Sequence, residues 1–161
     1  MHKIKNKSVL SLIILFSFFA IIAAYFIQYI LGHKPCNLCF AERIPYFVSI
    51  VLIALVMFLK KFEKTVLILL SLFFMFGAAI SFYHFGIEQD FFRESLVCDL
   101  EKNNLSLSRS GLLEKLKQTT VSCKDVTFRA FGLSLATINT VISLILSAIT
   151  IKLFLDYEKN R

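Results

Sequence analysis

Residues 9–31 read VLSLIILFSFFAIIAAYFIQYIL, 23 residues without one charged side chain. At about 1.5 Å per helical residue this run exceeds the roughly 30 Å hydrocarbon core of a bilayer, and it predicts a membrane-spanning helix. Lys3, Lys5 and Lys7 precede it in the manner of a signal peptide. The apolar run is well beyond the usual 7 to 15 residues of such a peptide, however, and no A-x-A site follows, so the segment is expected to stay in the protein.

Three more apolar runs follow. Residues 44–59 carry no charge over 16 positions. They reach a full span when the helix begins near Cys39, with Glu42 and Arg43 at the interface and Pro45 early enough in the helix to break little. Residues 65–87 hold only His84 as a group that charges near neutrality, and residues 130–151 hold none. With 57% of the 161 residues hydrophobic, no soluble domain is left over. The expected fold is all-α: an integral membrane four-helix bundle, one domain over residues 1–161, with spans at about 9–31, 40–59, 65–85 and 131–151 and outer loops at about 32–39 and 86–130. No repeat or linker divides it.

Charge orients the bundle. Residues 1–8, 60–64 and 152–161 together carry nine Lys and Arg against three acids, whereas residues 32–43 are net +1 and residues 86–129 hold seven basic and seven acidic side chains. The positive-inside rule therefore places both termini in the cytoplasm and the two loops outside. The net charge of +7 is a topology signal and does not point to a nucleic-acid partner. Within the long loop, residues 111–117 read GLLEKLK, and Leu112, Leu113 and Leu116 would share a helical face, either on the membrane surface or packed on protein.

All four cysteines, Cys36, Cys39, Cys98 and Cys123, fall in or beside the outer loops, on the oxidising side. Cys36-Asn37-Leu38-Cys39 is a C-x-x-C pair, a spacing suited to a reversible disulfide. Cys98 and Cys123 lie 25 residues apart, and a bond between them would serve equally as a structural staple. The C-x-x-C stands where the chain re-enters the membrane, and a helix N-terminus stabilises a thiolate. A helix beginning near Cys39 would put Arg43 one turn on, on the same face, which makes Cys39 the expected electron donor. Arg43 alone would read as an interfacial arginine reaching for headgroups. An electron pair leaving a membrane dithiol needs an acceptor soluble in lipid. The chain has no haem C-x-x-C-H, no dinucleotide glycines and no flavin signature, so a quinone fits what remains.

Residues 35–43, PCNLCFAER, resemble the P-C-x-L-C-x-x-E/Q-R pattern at the second helix of the disulfide bond formation protein B (DsbB) family. Residues 83–89, YHFGIEQ, resemble the end of that family's third helix, and residues 131–135, FGLSL, the start of its fourth. The resemblance implies a bacterial inner-membrane oxidoreductase that reoxidises a soluble periplasmic DsbA-like thiol oxidase and passes the electrons to the membrane quinone pool, ubiquinone or menaquinone. It further implies that Cys36 and Cys39 face the quinone, that Cys98 and Cys123 meet the soluble partner, and that Arg43 holds a quinone carbonyl with His84 near the ring. Exchange between the two pairs would require the long loop to bring its cysteines to the membrane face, so a mobile loop is expected, and no metal is. By itself a histidine at a helix end reads equally as interfacial.

Three other readings compete. One is a structural four-helix membrane protein whose two disulfides only staple its loops. A second gathers the four cysteines into a zinc site, which an oxidising compartment disfavours. The third is a vitamin K epoxide reductase-like protein, which shares the thiol and quinone logic but has its C-x-x-C late in the chain, whereas here it follows the first span.

Overall fold

The computed structural model describes residues 2–59, 62–93, 98, 122–124, 128–130 and 132–159. They form α1 (His2–Tyr29), a short α2 (Asn37–Ala41), α3 (Ile44–Leu59), α4 (Glu63–Glu88), a hairpin of β1 (Arg129–Ala130) with β2 (Leu133–Ser134), and α5 (Leu135–Lys159). Among the described residues, four helical stretches are long and apolar enough to cross a membrane: Lys7–Tyr29, Asn37–Phe58, Glu63–Glu88 and Leu135–Lys159. The fold is the expected all-α four-helix membrane bundle.

Burial is inverted relative to a soluble bundle. Ser17, Ser49, Ser81, Ser143, Ser147 and Thr150 are buried, while Phe58 is 86% exposed and Phe18, Phe19 and Val51 also face outward. Lipid accepts an apolar exterior, and some of these hydroxyls bond from one helix to another and help hold the interior together. Thus Ser17 Oγ lies 2.8 Å from Ser49 Oγ between α1 and α3, and Ser147 Oγ donates to the Ser71 carbonyl at 3.5 Å between α5 and α4. Leu10, Ile13, Ile53, Leu67, Leu70 and Phe74 belong to the apolar core.

Neighbouring long helices run antiparallel. The Gln28 end of α1 meets Arg43 ahead of α3, Ser81 near the end of α4 meets Asn139 near the start of α5, and Lys64 at the start of α4 pairs with Glu158 at the end of α5 at 2.8 Å. Pro45 of α3 packs so closely on α4 that a Cβ at Gly77 would lie 2.9 Å from its Cγ. The end of α1, the start of α3, the end of α4 and the start of α5 therefore gather at one end of the bundle, where the cysteines are.

Several boundaries differ from those expected. The second span is broken at Glu42 and Arg43 into α2 and α3. Pro45, second residue of α3, lacks an N–H, and at a helix start that donor would be unpaired in any case. α4 continues to Glu88, which brings that acid out of the expected loop and into the last turn of a membrane helix. α5 starts only at Leu135, because the preceding residues turn back through Gly132 at φ 81° as a hairpin. Ser134 Oγ then accepts the Thr137 N–H at 3.2 Å, a capping bond that starts the helix. The expected helix at residues 111–117 and the expected loop motion lie outside the described residues.

Candidate redox site

Cys36 is the N-cap of α2, with extended backbone angles (φ −80°, ψ 172°), and its Sγ accepts the Cys39 N–H at 3.3 Å. Both cysteines are unbonded, and their sulfurs stand 2.8 Å apart. The hydrogen bond from the Cys39 thiol, helped by the Cys39 and Leu38 backbone N–H groups, holds the Cys36 thiol below its ordinary pKa against burial and the charge of Glu42. This amends the sequence expectation, which started the helix near Cys39 and gave that residue the helix end. α2 begins two residues earlier, so the backbone donor serves Cys36.

His84 reaches this pair from α4. Its Nε2 is 3.6 Å from Cys36 Sγ and its Nδ1 is 2.7 Å from Glu42 Oε1. At 4% exposure it is a buried residue, which removes the interfacial reading. The other carboxyl oxygen of Glu42 accepts from Asn139 Nδ2 at 3.1 Å, the same amide nitrogen donates to Ser81 Oγ at 2.6 Å, and the Tyr46 hydroxyl donates to Asn139 Oδ1. One polar network thus joins the α2–α3 turn, α3, α4 and α5. Beside it, Glu88 Oε1 lies 3.8 Å from His84 Nε2, and the buried Glu88 Oε2 has no hydrogen-bond partner among the described residues.

Arg43 turns toward α1. It donates to Gln28 Oε1 at 2.8 Å, and its guanidinium lies over the rings of Tyr25 (5.1 Å) and Phe40 (5.0 Å). Its neighbour in space is a cavity of about 250 Å³. Ala20, Ala23 and Ala24 of α1 form one wall and Ile138 and Ile142 of α5 another, while Cys36, Cys39, Arg43 and His84 supply polar atoms. Short alanine side chains leave the space open.

Cys98 and Cys123 form a disulfide with Cα atoms 6.0 Å apart. Cys123 is buried in the same apolar cluster as Cys36, Leu38 and Ile87, with Cys39 and Cys98 packed against it. An ion pair between Lys124 and Asp90 at 2.5 Å ties this segment to the chain leaving α4. All six residues singled out in the sequence therefore meet at one end of the bundle. The disulfide also withdraws two donors from the four-cysteine zinc reading.

Sequence reading missed Tyr46, Ser81, Glu88 and Asn139 and took Glu42 for an interfacial acid. A usable signal existed: Asn139 is the one carboxamide in residues 130–151, and polar groups of that kind inside a span are costly unless they serve a site.

The family model for disulfide bond formation protein DsbB matches residues 6–153. Among curated proteins, the chain is 26% identical over 158 residues to the uncharacterized protein RP370 of Rickettsia prowazekii, covering 94% of this chain and 90% of that one. It is 34% identical over 98 residues to the SPbeta prophage-derived disulfide bond formation protein B of Bacillus subtilis, covering 61% of this chain and 64% of that protein. No solved structure matches significantly. With the family model spanning nearly the whole chain, this four-helix membrane protein belongs to the DsbB family of disulfide bond formation proteins.

Proposed function

We propose that the chain is a quinone-dependent thiol oxidoreductase of the bacterial inner membrane, with both termini in the cytoplasm. Its activity is to reoxidise a soluble periplasmic DsbA-like thiol oxidase and so sustain disulfide formation. The observation that carries this reading is the packing of Cys36, Cys39, Cys98 and Cys123 into a single cluster beside a cavity at one end of a membrane bundle.

The residues fit a quinone. Small and apolar side chains bound a cavity of about 250 Å³, a little under the roughly 300 Å³ at which ordinary ligand pockets begin, and the polar groups converge at the cysteine side. Arg43 and His84 would hold the carbonyl oxygens, and ubiquinone and menaquinone share that chemistry. A quinone bound there supplies an acceptor for two electrons and two protons.

The protein's own residues would act as follows. A partner thiolate attacks Cys98 Sγ, forms a mixed disulfide and releases Cys123 as thiolate; the partner's second thiolate then closes its own disulfide and releases Cys98. Cys123, buried beside Cys36, attacks Cys36 Sγ of a Cys36–Cys39 disulfide and releases the Cys39 thiolate at the cavity. Cys98 next attacks Cys123, which restores the outer disulfide and frees Cys36. The Cys36 sulfur is received by the Cys39 N–H, and His84, fixed by Glu42, stands within reach of its proton. The electron pair thereby moves from the partner to the cavity through two exchanges, each conserving one disulfide.

The decisive experiment follows quinone reduction spectrophotometrically after a reduced DsbA-like protein is added to the purified chain, with Cys39→Ser beside it. Turnover that disappears in Cys39→Ser supports the proposal. Normal turnover in Cys39→Ser removes the central assignment. No turnover in either, with a working control enzyme, returns the chain to a structural protein stapled by disulfides.

A further inference from the structure

Cys36 Sγ, Cys39 Sγ and His84 offer three metal-ligating atoms within 4.8 Å of one another. We propose that the reduced Cys36–Cys39 dithiol and His84 form a binding site for a thiophilic divalent cation, zinc being the natural occupant, which disulfide formation abolishes. The proposal rests on the preceding functional reading only in requiring that this pair spend part of its time as a dithiol.

Three features support the site. Tetrahedral zinc with Zn–S near 2.3 Å and Zn–N near 2.05 Å sets sulfur and nitrogen about 3.5 Å apart. Cys36 Sγ and His84 Nε2 already stand at 3.6 Å. The two sulfurs, at 2.8 Å, need to part by about 1 Å to reach tetrahedral spacing, a rotation of one side chain at the N-terminal turn of a short helix. Second, the histidine is prepared as a ligand: its Nδ1 faces Glu42 Oε1 at 2.7 Å, the carboxylate–histidine arrangement that fixes the tautomer and leaves Nε2 for a metal. Third, the Glu88 carboxyl stands 3.8 Å from Nε2 with one oxygen buried and unpartnered among the described residues. A cation would satisfy the local excess of acceptors.

Metal binding replaces two S–H bonds by two metal–sulfur bonds, and two protons leave; no electron moves. A bound cation would sit at the cysteine side of the cavity and hold the pair reduced. Such cations would therefore inhibit the protein only after electrons have reached Cys36 and Cys39, and a chelator would relieve the block.

The test uses the full chain in detergent as the Cys98→Ser/Cys123→Ser double variant, so that Cys36 and Cys39 are its only thiols. The protein is reduced with a phosphine and titrated with Co²⁺, and Zn²⁺ is then added to displace it. The expected result is one Co²⁺ per chain with thiolate-to-cobalt charge-transfer and tetrahedral ligand-field bands, absent after oxidation. His84→Gln should weaken binding at least tenfold, and Glu42→Gln by about 10- to 100-fold. Lack of saturable binding, equal binding by the oxidised protein, or unchanged affinity in His84→Gln overturns the proposal. X-ray absorption of the zinc-loaded reduced protein, with His84 intact, guards against a misfolded variant: two sulfurs with nitrogen or oxygen ligands support the site, and all-oxygen coordination rejects it. Metal binding without quinone turnover would leave this site standing while the functional reading fell.

Discussion

His84 Nδ1 lies 2.7 Å from Glu42 Oε1, so the last turns of α4 are joined to the turn between α2 and α3 by a buried bond. The bond fixes the imidazole whose other nitrogen faces Cys36, and it is one strand of a network that continues through Asn139 to Tyr46 and Ser81.

Removing the acid should show how much of the bundle depends on this network. Glu42→Ala leaves His84 and Asn139 donors buried without their acceptor, and breaking a buried pair in this way costs about 3–5 kcal/mol. Glu42→Gln keeps an oxygen that accepts and should lose less than half of that. Thermal unfolding in detergent is the measurement, and midpoints for both variants equal to that of the unsubstituted protein would show that the network does not stabilise the fold.

Asn139 tests the same network from α5. Asn139→Leu removes the amide donor to Glu42 and the acceptor for Tyr46, each an unsatisfied buried group costing about 1–3 kcal/mol. Because Asn139 lies at the cavity and reaches Cys36 through Glu42 and His84, turnover should fall while the KM for the soluble partner stays unchanged. A raised partner KM with intact turnover would place its role elsewhere.

The four spans were legible in the sequence because lipid imposes a length: about 20 apolar residues per crossing. Their ends were less so. Glu88 reads as a loop acid by charge, yet the helix carries it inside, beside His84. The start of α5 waits on a hairpin through Gly132, a two-residue pairing with no strong local pattern. The cysteine pairs announced themselves by spacing within the chain, and Arg43 by its place after Cys39. Asn139 meets Glu42 across 97 residues, and nothing local in either segment records that meeting.

The closeness of α3 and α4 depends on Gly77. A methyl group there would stand 2.9 Å from Pro45 Cγ, and the rigid proline ring at the start of α3 has little freedom to yield. Gly77→Ala should destabilise by about 1–3 kcal/mol, the usual cost of overpacking, and should move the start of α3 relative to α4. Gly132→Ala, in open space at φ 81°, should cost about 1–2 kcal/mol through backbone strain alone. Unfolding midpoints, with quinone turnover measured on both, separate the two effects: only Gly77→Ala should change turnover.

The two cysteine pairs should be separable by function. Cys123→Ser breaks the outer disulfide and should abolish oxidation of the soluble partner, while a small dithiol that reaches Cys36 and Cys39 directly should still drive quinone reduction. A Cys123→Ser protein that oxidises the partner at the normal rate would mean that the outer pair is a staple and takes no part in exchange.

Arg43 supplies the last discrimination. Its guanidinium donates to Gln28 while lying over the rings of Tyr25 and Phe40, an arrangement that a planar fork can satisfy and an ammonium cannot. Its place at the cavity wall makes it a binding group in the proposed reaction, whereas the electrons leave from Cys39. Arg43→Ala should therefore raise the half-saturating quinone concentration about tenfold or more, as loss of a charged hydrogen bond of about 1.5–3 kcal/mol implies, with the maximal rate changed much less. Arg43→Lys keeps the charge but not the stacked fork, and should recover only part of the affinity. Steady-state reduction of a short-chain quinone across a concentration series reads both constants; a fall in maximal rate at unchanged half-saturation would transfer Arg43 from quinone binding to the chemistry of the Cys39 thiolate.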